Sequence, residues 1–338
     1  MNLKTTQARS NRIHGGTDAL GLPAFDFSTN SNACGPCPIT QTAIKQADVI
    51  RYPDPSYTAL GNTLAGFHGC EASRIVIAGS ASEFIFRITA LAKLQGLDTV
   101  FVPSHSFGDY AHAAKVWGLP LMKDVKDAGL VWNCQPSSPL GQVDSGVIEV
   151  TSAAIQVLDL AYAPLQLSEM KPKAGRSDAV WQLYSPNKAL GLTGVRAAYA
   201  IAPLGSQVLV NRLAELSASW PLGAHGVALL DSWVTADVQT WLSNSLQTLQ
   251  VWKVRQTELL ESLGWTCQPS VTNFFCAVPR LANGLTLELA LASLRSQGIK
   301  LRNTASFGLP GQVRLSVQPP AAQNALREAW LLMNKDNQ

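Results

Sequence analysis

The sequence has no apolar stretch approaching the ~18–20 residues that a membrane-spanning helix needs, so no membrane partner is expected. Its opening residues, MNLKTTQARSNRIHGG, lack the apolar core of a signal peptide. It has no basic run interleaved with aromatics, and its net charge is only +3, which argues against a nucleic-acid surface. Charge is sparse throughout: 14% of residues are charged against 46% apolar, too apolar a balance for long disordered tails. Beyond Cys34 and Cys37 there is no second Cys-x-x-Cys and no His-x-His to complete a zinc site, so no metal is expected. What these absences leave is a soluble cytoplasmic protein. Its 338 residues suit two domains, or one large and one small lobe.

Among the features present, ACGPCP (Ala33 to Pro38) raises the sharpest question. Cys-Gly-Pro-Cys is the dithiol spelling of thioredoxin-like oxidoreductases. Pro38 could open a following helix, ITQTAIKQADVI, and a helix N-terminus stabilises a thiolate. The other cysteines, Cys70, Cys134, Cys267 and Cys276, sit among apolar neighbours as small buried thiols usually do. The local spelling alone does not decide between a redox centre and a turn.

From about Arg74 to Pro203 the text alternates. Short β-branched or apolar runs (RIVIAG, TVFVP, LVWNC, IQVLDL, AVWQLYS, RAAYAIA) read as buried strands. Helical patterns lie between several of them, as in SEFIFRITALAKLQG and from Tyr110 to Trp117. This alternation predicts an α/β domain with a mostly parallel sheet flanked by helices. After Pro203 come long helical stretches, LVNRLAELSASW and GVALLDSW…ELLESLG, then two strand-like runs, NFFCAVP and QVRLSVQ. These predict a smaller α+β domain. The expected boundaries are 1–45 for an N-terminal arm that joins the small domain, 46–222 for the large domain and 223–338 for the C-terminal small domain.

In such sheets ligands bind beyond the carboxyl ends of the strands. After RIVIA comes Gly79-Ser80-Ala81-Ser82-Glu83, small residues at a strand-to-helix turn where free amides and the helix dipole favour an anion. The plain alternative is a helix cap with Ser82 as the N-cap. After TVFVP comes Ser104-His105-Ser106-Phe107-Gly108-Asp109-Tyr110, whose Phe107 could be core or could stack on a flat ligand. IQVL ends in Asp159-Leu160-Ala161-Tyr162, and AVWQLY runs into Ser185-Pro186-Asn187-Lys188 and on to Arg196. Each site singly has a structural reading. Together, in this order, they supply what pyridoxal phosphate requires: an amine to form an imine, a carboxylate for the pyridine nitrogen, a phosphate cup and a stacking partner.

SPNKALGLTGVRAAYAIA resembles the S-x-x-K-x-x-G-L-x-G-x-R-x-G-Y segment of fold-type I pyridoxal-phosphate enzymes, the aspartate aminotransferase superfamily, and the resemblance spans nearly the whole chain. It implies Lys188 as the lysine that carries the cofactor, with Ser185 and Arg196 on its phosphate. LDLAY resembles the D-E-A-Y signature, implying Asp159 on the pyridine nitrogen and Tyr162 on the ring hydroxyl. AGSASEFIF resembles the phosphate-cup turn, implying Ser80, Ala81 and Ser82 there, and FGDY the segment whose aromatic, here Phe107, stacks on the ring. QVRLSV resembles the strand whose arginine, here Arg314, clamps a substrate carboxylate. The family also implies a homodimer in which Tyr52 reaches the neighbouring subunit's cofactor phosphate.

Within the superfamily, HGG, DFSTNSNACGPCP, RYPDPSYTAL and KLRNTASFGLP resemble the threonine-phosphate decarboxylases of cobalamin synthesis. Histidinol-phosphate aminotransferases share the S-x-N-x-N-P and Y-P-D parts. The expectation is decarboxylation of L-threonine O-3-phosphate. A phosphorylated amino acid would then be the substrate, held by His14, Gly15, Gly16, Asn32, Arg302 and Arg314. The alternatives are a histidinol-phosphate-type aminotransferase or a cofactor-binding protein without catalysis. The resemblance makes NACGPCP an active-site loop in place of N-P-x-G-P-P, with its cysteines as substitutions rather than a redox centre. Two departures stand out. Ser138 occupies the place of the asparagine that bonds the ring hydroxyl, and Gly223 replaces the asparagine of W-x-x-N.

Overall fold

The computed structural model describes residues 14–143, 155–168 and 178–335. The chain enters through β1 (Phe25–Asp26) and a loop to α1 (Pro38–Lys45), where proline sits in the first turn and needs no amide partner. After α2 (Thr58–His68) come β2 (Ile75–Ala78), α3 (Ala81–Leu94), β3 (Val100–Phe101), α4 (Gly108–Val116) and β4 (Leu121–Met122). Four further strands complete the large sheet: β5 (Leu130–Cys134), β6 (Ile155–Asp159), β7 (Trp181–Tyr184) and β8 (Ala198–Ile201). The strand order is β2-β8-β7-β6-β5-β3-β4. Strands β4, β3, β5, β6 and β7 run parallel, and β8 is antiparallel to both of its neighbours. The expected mostly parallel α/β sheet is therefore present. Strand β4 is a two-residue edge that the apolar pattern does not signal.

Both faces of this sheet are covered, which is why its strands are rich in large apolar residues, with single polar residues such as Asn133, Gln156 and Gln182 among them. On one face Phe84, Ile85, Ile88 and Leu91 of α3 pack with Tyr110, Trp132 and Trp181. On the other, a second core joins Leu60 and Leu64 of α2 to Tyr199, Leu229 and Leu230 and to the C-terminal part. That part contains α5 (Gln207–Glu215), α6 (Ala224–Trp233), α7 (Ala236–Ser262), β9 (Thr266–Cys267), β10 (Phe274–Val278), α8 (Leu287–Ser296), β11 (Ile299–Lys300), β12 (Arg302–Asn303), β13 (Val313–Ser316) and α9 (Pro320–Lys335). The long stretch from Gly226 to Gly264, which reads as one helical run, breaks at Val234–Thr235 into α6 and α7.

A four-stranded sheet, β12-β13-β10-β9, forms the small layer, and β1 pairs in parallel with β11. These pairings bring the N-terminal residues against the C-terminal part. Register matters here: Arg302 lies directly opposite Arg314 across β12 and β13. No helix among the described residues is long and apolar enough to cross a membrane.

Candidate active site

Parallel strands end on one edge, so β3, β5, β6 and β7 deliver their following residues to a common place. Asp159 closes β6 and is buried. Its Oδ2 accepts the Tyr110 hydroxyl at 2.6 Å, and its Oδ1 accepts the Ala161 amide at 2.9 Å. Burial pushes its carboxyl up, and the two donors and Lys188 hold it back. Lys188 sits beyond β7, its Nζ 5.1 Å from the centre of the Tyr162 ring. Asn30 lies on the far side, donating from Nδ2 to the Tyr162 hydroxyl at 3.4 Å, while its buried Oδ1 has no hydrogen-bond partner. An amine, a buried carboxylate, a phenol and an orphaned amide oxygen thus face one space. That donor set fits a pyridine ring with polar substituents.

At the phosphate turn the N-cap of α3 is Ser80, not Ser82. The helix starts at Ala81, and Ser80 Oγ accepts the Glu83 amide at 3.1 Å. Glu83 in turn accepts the Gly79 amide and pairs with buried Arg87. The first-turn amides of Ala81 and Ser82 have no acceptor among the described residues, as an anion-binding helix start requires. Ser185 Oγ donates to Asn187 at 3.0 Å, and Arg196 lines a cavity of about 390 Å³ with Arg51, Tyr52 and His225. Tyr52 is 77% exposed and stacks on Trp220, with ring centres 4.4 Å apart.

Phe107 follows β3 and meets Tyr110 edge-on at 5.8 Å and the His14 ring at 6.4 Å. The His14–Gly16 segment crosses Ser28. The Gly16 amide donates to Ser28 Oγ at 2.8 Å. Ser28 also gives its carbonyl to Arg314 at 3.2 Å. Ser138 is buried beside the same guanidinium, its Oγ accepting from Arg314 Nη1 at 3.4 Å, which leaves the hydroxyl hydrogen to donate elsewhere. Arg302 and Arg314 are both buried, and Phe307 lies over the two guanidinium carbons at 4.7 and 5.4 Å. Desolvation, reinforced by the neighbouring Arg314 charge, pulls Arg302 down to about 10. Two like charges buried side by side are costly unless anions meet them.

Asn32 bonds the lysine turn. Its Nδ2 donates to the Ala189 carbonyl at 3.0 Å and to Ser245 Oγ at 2.8 Å, and its Oδ1 accepts the Cys34 amide at 3.0 Å. Its own amide donates to the Lys188 carbonyl. Asn32 therefore ties the lysine turn to the N-terminal segment, with one lone pair of Oδ1 still open. The CGPC loop does the same work: the Cys37 amide bonds the Leu190 carbonyl at 2.8 Å, and Gly35 lies against Gly191. A Cβ on either glycine would come within 2.9 Å of the other's Cα. Both cysteines are free thiols, and burial pushes Cys34 up to about 11, far from a reactive thiolate.

Sequence reading missed four residues of this site: Asn30, Tyr110, Phe307 and Ser28. Tyr110 had a signal in its spacing, since i and i+3 share a helix face and it follows Phe107 by three. Among the described residues no cluster of His, Cys, Asp and Glu could hold a metal.

The family model for class I and II aminotransferases matches residues 23–329, and the chain belongs to that family. Pyridoxal phosphate is accordingly its cofactor, and the donor set above suits that group. Histidinol-phosphate aminotransferase of Jannaschia sp. is 27% identical over an alignment of 346 positions covering 95% of this chain and 92% of the relative. The crystal structure of histidinol-phosphate aminotransferase from Sinorhizobium meliloti in complex with pyridoxal-5'-phosphate matches with a TM-score of 0.77 at 20% identity, covering 93% of this chain and 92% of that one. L-threonine-O-3-phosphate decarboxylase from Porphyromonas gingivalis matches with a TM-score of 0.75 at 18% identity, covering 91% and 99%. At those identities the structural likeness defines the fold.

Proposed function

We propose that this pyridoxal-phosphate enzyme acts on a small amino compound carrying a phosphate, with transamination of the histidinol-phosphate kind as the leading reaction. The curated relatives that align over nine-tenths of the chain are histidinol-phosphate aminotransferases, which favours this reading over the decarboxylation expected from the motifs alone. The carrying observation is the buried pair Arg302 and Arg314 bracketing Phe307. Guanidinium groups bind phosphate and carboxylate through paired charge-assisted hydrogen bonds. In a transaminase the pair would take the substrate phosphate in one half-reaction and a dicarboxylic oxoacid in the other.

Pyridoxal phosphate, joined to a lysine amine, supplies an electron sink for a bond broken at the amine-bearing carbon. The chain's residues supply the rest. Lys188 Nζ would carry the group and, when free, move the proton at that carbon. Asp159 would hold a proton on the ring nitrogen, and the Tyr110 and Ala161 donors favour its carboxylate against burial. Tyr162, held by Asn30, would bond the ring hydroxyl. Ala81, Ser82, Ser185 and Arg196 would hold the cofactor phosphate.

Decarboxylation of threonine phosphate is the second reading, and one observation favours it. The His14–Gly16 segment reaches both Phe107 and Ser28, so the motif shared with the decarboxylases lies beside Arg314. Incubation with histidinol phosphate plus 2-oxoglutarate, against threonine phosphate with trapping of carbon dioxide, separates the two. Glutamate formation without carbon dioxide supports the leading reading; carbon dioxide release without glutamate replaces it with the second.

The same reasoning supports a homodimer. Val49, Ile50 and Tyr52 are 66%, 89% and 77% exposed on one strip of a single chain. Burying that strip against a second copy would let Tyr52 reach the partner's phosphate cup, in the isologous arrangement commonest among soluble oligomers.

A further inference from the structure

Phe307 packs on both arginines, and its own position is fixed from the opposite side of the cleft. It belongs to a turn after β12 that closes on itself: Thr304 Oγ1 donates to the Leu309 carbonyl at 2.7 Å and lies 2.8 Å from the Gln312 carbonyl. That turn hangs from the small sheet. The loop after β3 of the large sheet brings His105 against it, with Nδ1 2.7 Å from the Phe307 carbonyl. A carbonyl only accepts, so Nδ1 carries the hydrogen. Gly308 lies against the imidazole; its φ of +76° suits glycine, while a Cβ there would make only ordinary contact with Nδ1 at 3.5 Å. Two residues beyond His105 is Phe107, so one short loop touches both the cofactor side and the anion side of the site.

We propose that His105 is a positioning residue for substrate anions. Its Nδ1–H holds the Phe307 carbonyl, which keeps the Phe307 ring between Arg302 and Arg314 and sets the spacing at which an anion meets both. This assignment rests on the reading of the arginine pair as the substrate-anion site. Without the hydrogen bond, the turn 305–308 loses its tie to the large sheet and the ring drifts from the guanidiniums. Substrate capture weakens, while Lys188 and Asp159, on other strand ends, are undisturbed.

The test uses the holoenzyme and two variants. His105→Ala removes the donor, whereas His105→Asn keeps an N–H at about the same reach from the backbone. A single hydrogen bond contributes about 0.5–1.5 kcal/mol net, a factor of roughly two to twelve. His105→Ala should therefore raise KM for the phosphorylated amine about fivefold while kcat falls by much less, and His105→Asn should recover most of the loss. Inorganic phosphate, titrated calorimetrically into the holoenzyme, should bind more weakly to His105→Ala by a similar factor, with the cofactor absorbance band unchanged. The phosphate titration needs no turnover. If no amino phosphate is a substrate yet phosphate binding still weakens in His105→Ala and recovers in His105→Asn, the proposed reaction fails and the positioning role stands. Unchanged phosphate binding in a folded His105→Ala protein overturns the proposal, as does a fall in kcat at constant KM or a failure of His105→Asn to recover.

Discussion

At the scale of single residues the account turns on Asp159 and what holds it. Asp159→Asn should lower turnover by several orders of magnitude while the cofactor is still bound, each factor of ten being about 1.4 kcal/mol. Steady-state kinetics with the cofactor spectrum recorded alongside checks this; near-normal turnover would make Asp159 a structural cap. Tyr110→Phe removes one of two donors to a buried carboxylate. Hydrogen bonds to charged groups contribute about 1.5–3 kcal/mol, so turnover should fall about tenfold or more. The direction with pH is fixed as well. Burial already raises the Asp159 carboxyl, and losing the Tyr110 donor raises it further, so the acid limb of the activity profile should move to higher pH. An unmoved limb would contradict the role given to Tyr110. His68 sits outside this chemistry, paired with the Tyr199 hydroxyl at 2.8 Å. Burial lowers it from 6.5 to about 4. The unfolded chain thus binds the proton more readily between those values, and stability present at neutral pH is lost as pH falls from about 6.5 toward about 4. Urea midpoints at pH 7 and pH 5 should differ less in His68→Gln than in the wild type; equal differences would remove His68 as the cause.

At the scale of elements, the lysine turn and the CGPC loop form one packed unit. Gly191 has a φ of +68°, and its Cβ would come within 2.8 Å of the Gly35 Cα. Gly191→Ala should therefore cost about 1–3 kcal/mol by overpacking, with further strain from the left-handed backbone, and weaken cofactor retention, both readable in a thermal scan with and without pyridoxal phosphate. Replacing Cys34 and Cys37 together by alanine should lower the melting midpoint modestly, since Cys37 is fully buried, yet leave turnover within about tenfold, less than the cost typical of losing a general acid or base. Activity that followed thiol redox state instead would restore the dithiol reading. The elements legible in the sequence were the apolar-rich strands of the covered sheet: β5, β6 and β7 each hold three large apolar residues, and the candidate positions Asp159 and Lys188 lie at or just beyond the ends of β6 and β7. What stayed hidden was long-range. The Tyr110–Asp159 bond spans 49 residues, and Phe307 acquires its role only when β12 and β13 set Arg302 opposite Arg314. Asn32 is a further case: its motif spells a binding residue, and its bonds to Lys188, Ala189 and Ser245 lie 156 to 213 residues away in sequence. The break between α6 and α7 falls at Val234–Thr235, inside an apolar periodicity that continues from one helix into the next.

At the scale of the whole molecule, the strip around Tyr52, itself stacked on Trp220, is one of the apolar surfaces that the described residues leave open to solvent. A heterodimer made from Tyr52→Phe and Lys188→Ala chains distinguishes the possibilities. If Tyr52 crosses the interface, one site is intact and the other carries both defects; if it stays within its own chain, each site carries one. Half the wild-type activity is expected, and activity no greater than the two homodimers would rule the crossing out. Lys188 follows β7, faces the Tyr162 ring and has its carbonyl bonded by the Asn32 amide, and the claim that organises the rest is that Lys188 carries the cofactor. Reduction of the holoenzyme with borohydride followed by peptide mass spectrometry tests it most directly. The account predicts a pyridoxyl-phosphate adduct on the peptide containing Lys188, absent in Lys188→Ala; an adduct on any other lysine, or one that survives in that variant, would contradict it.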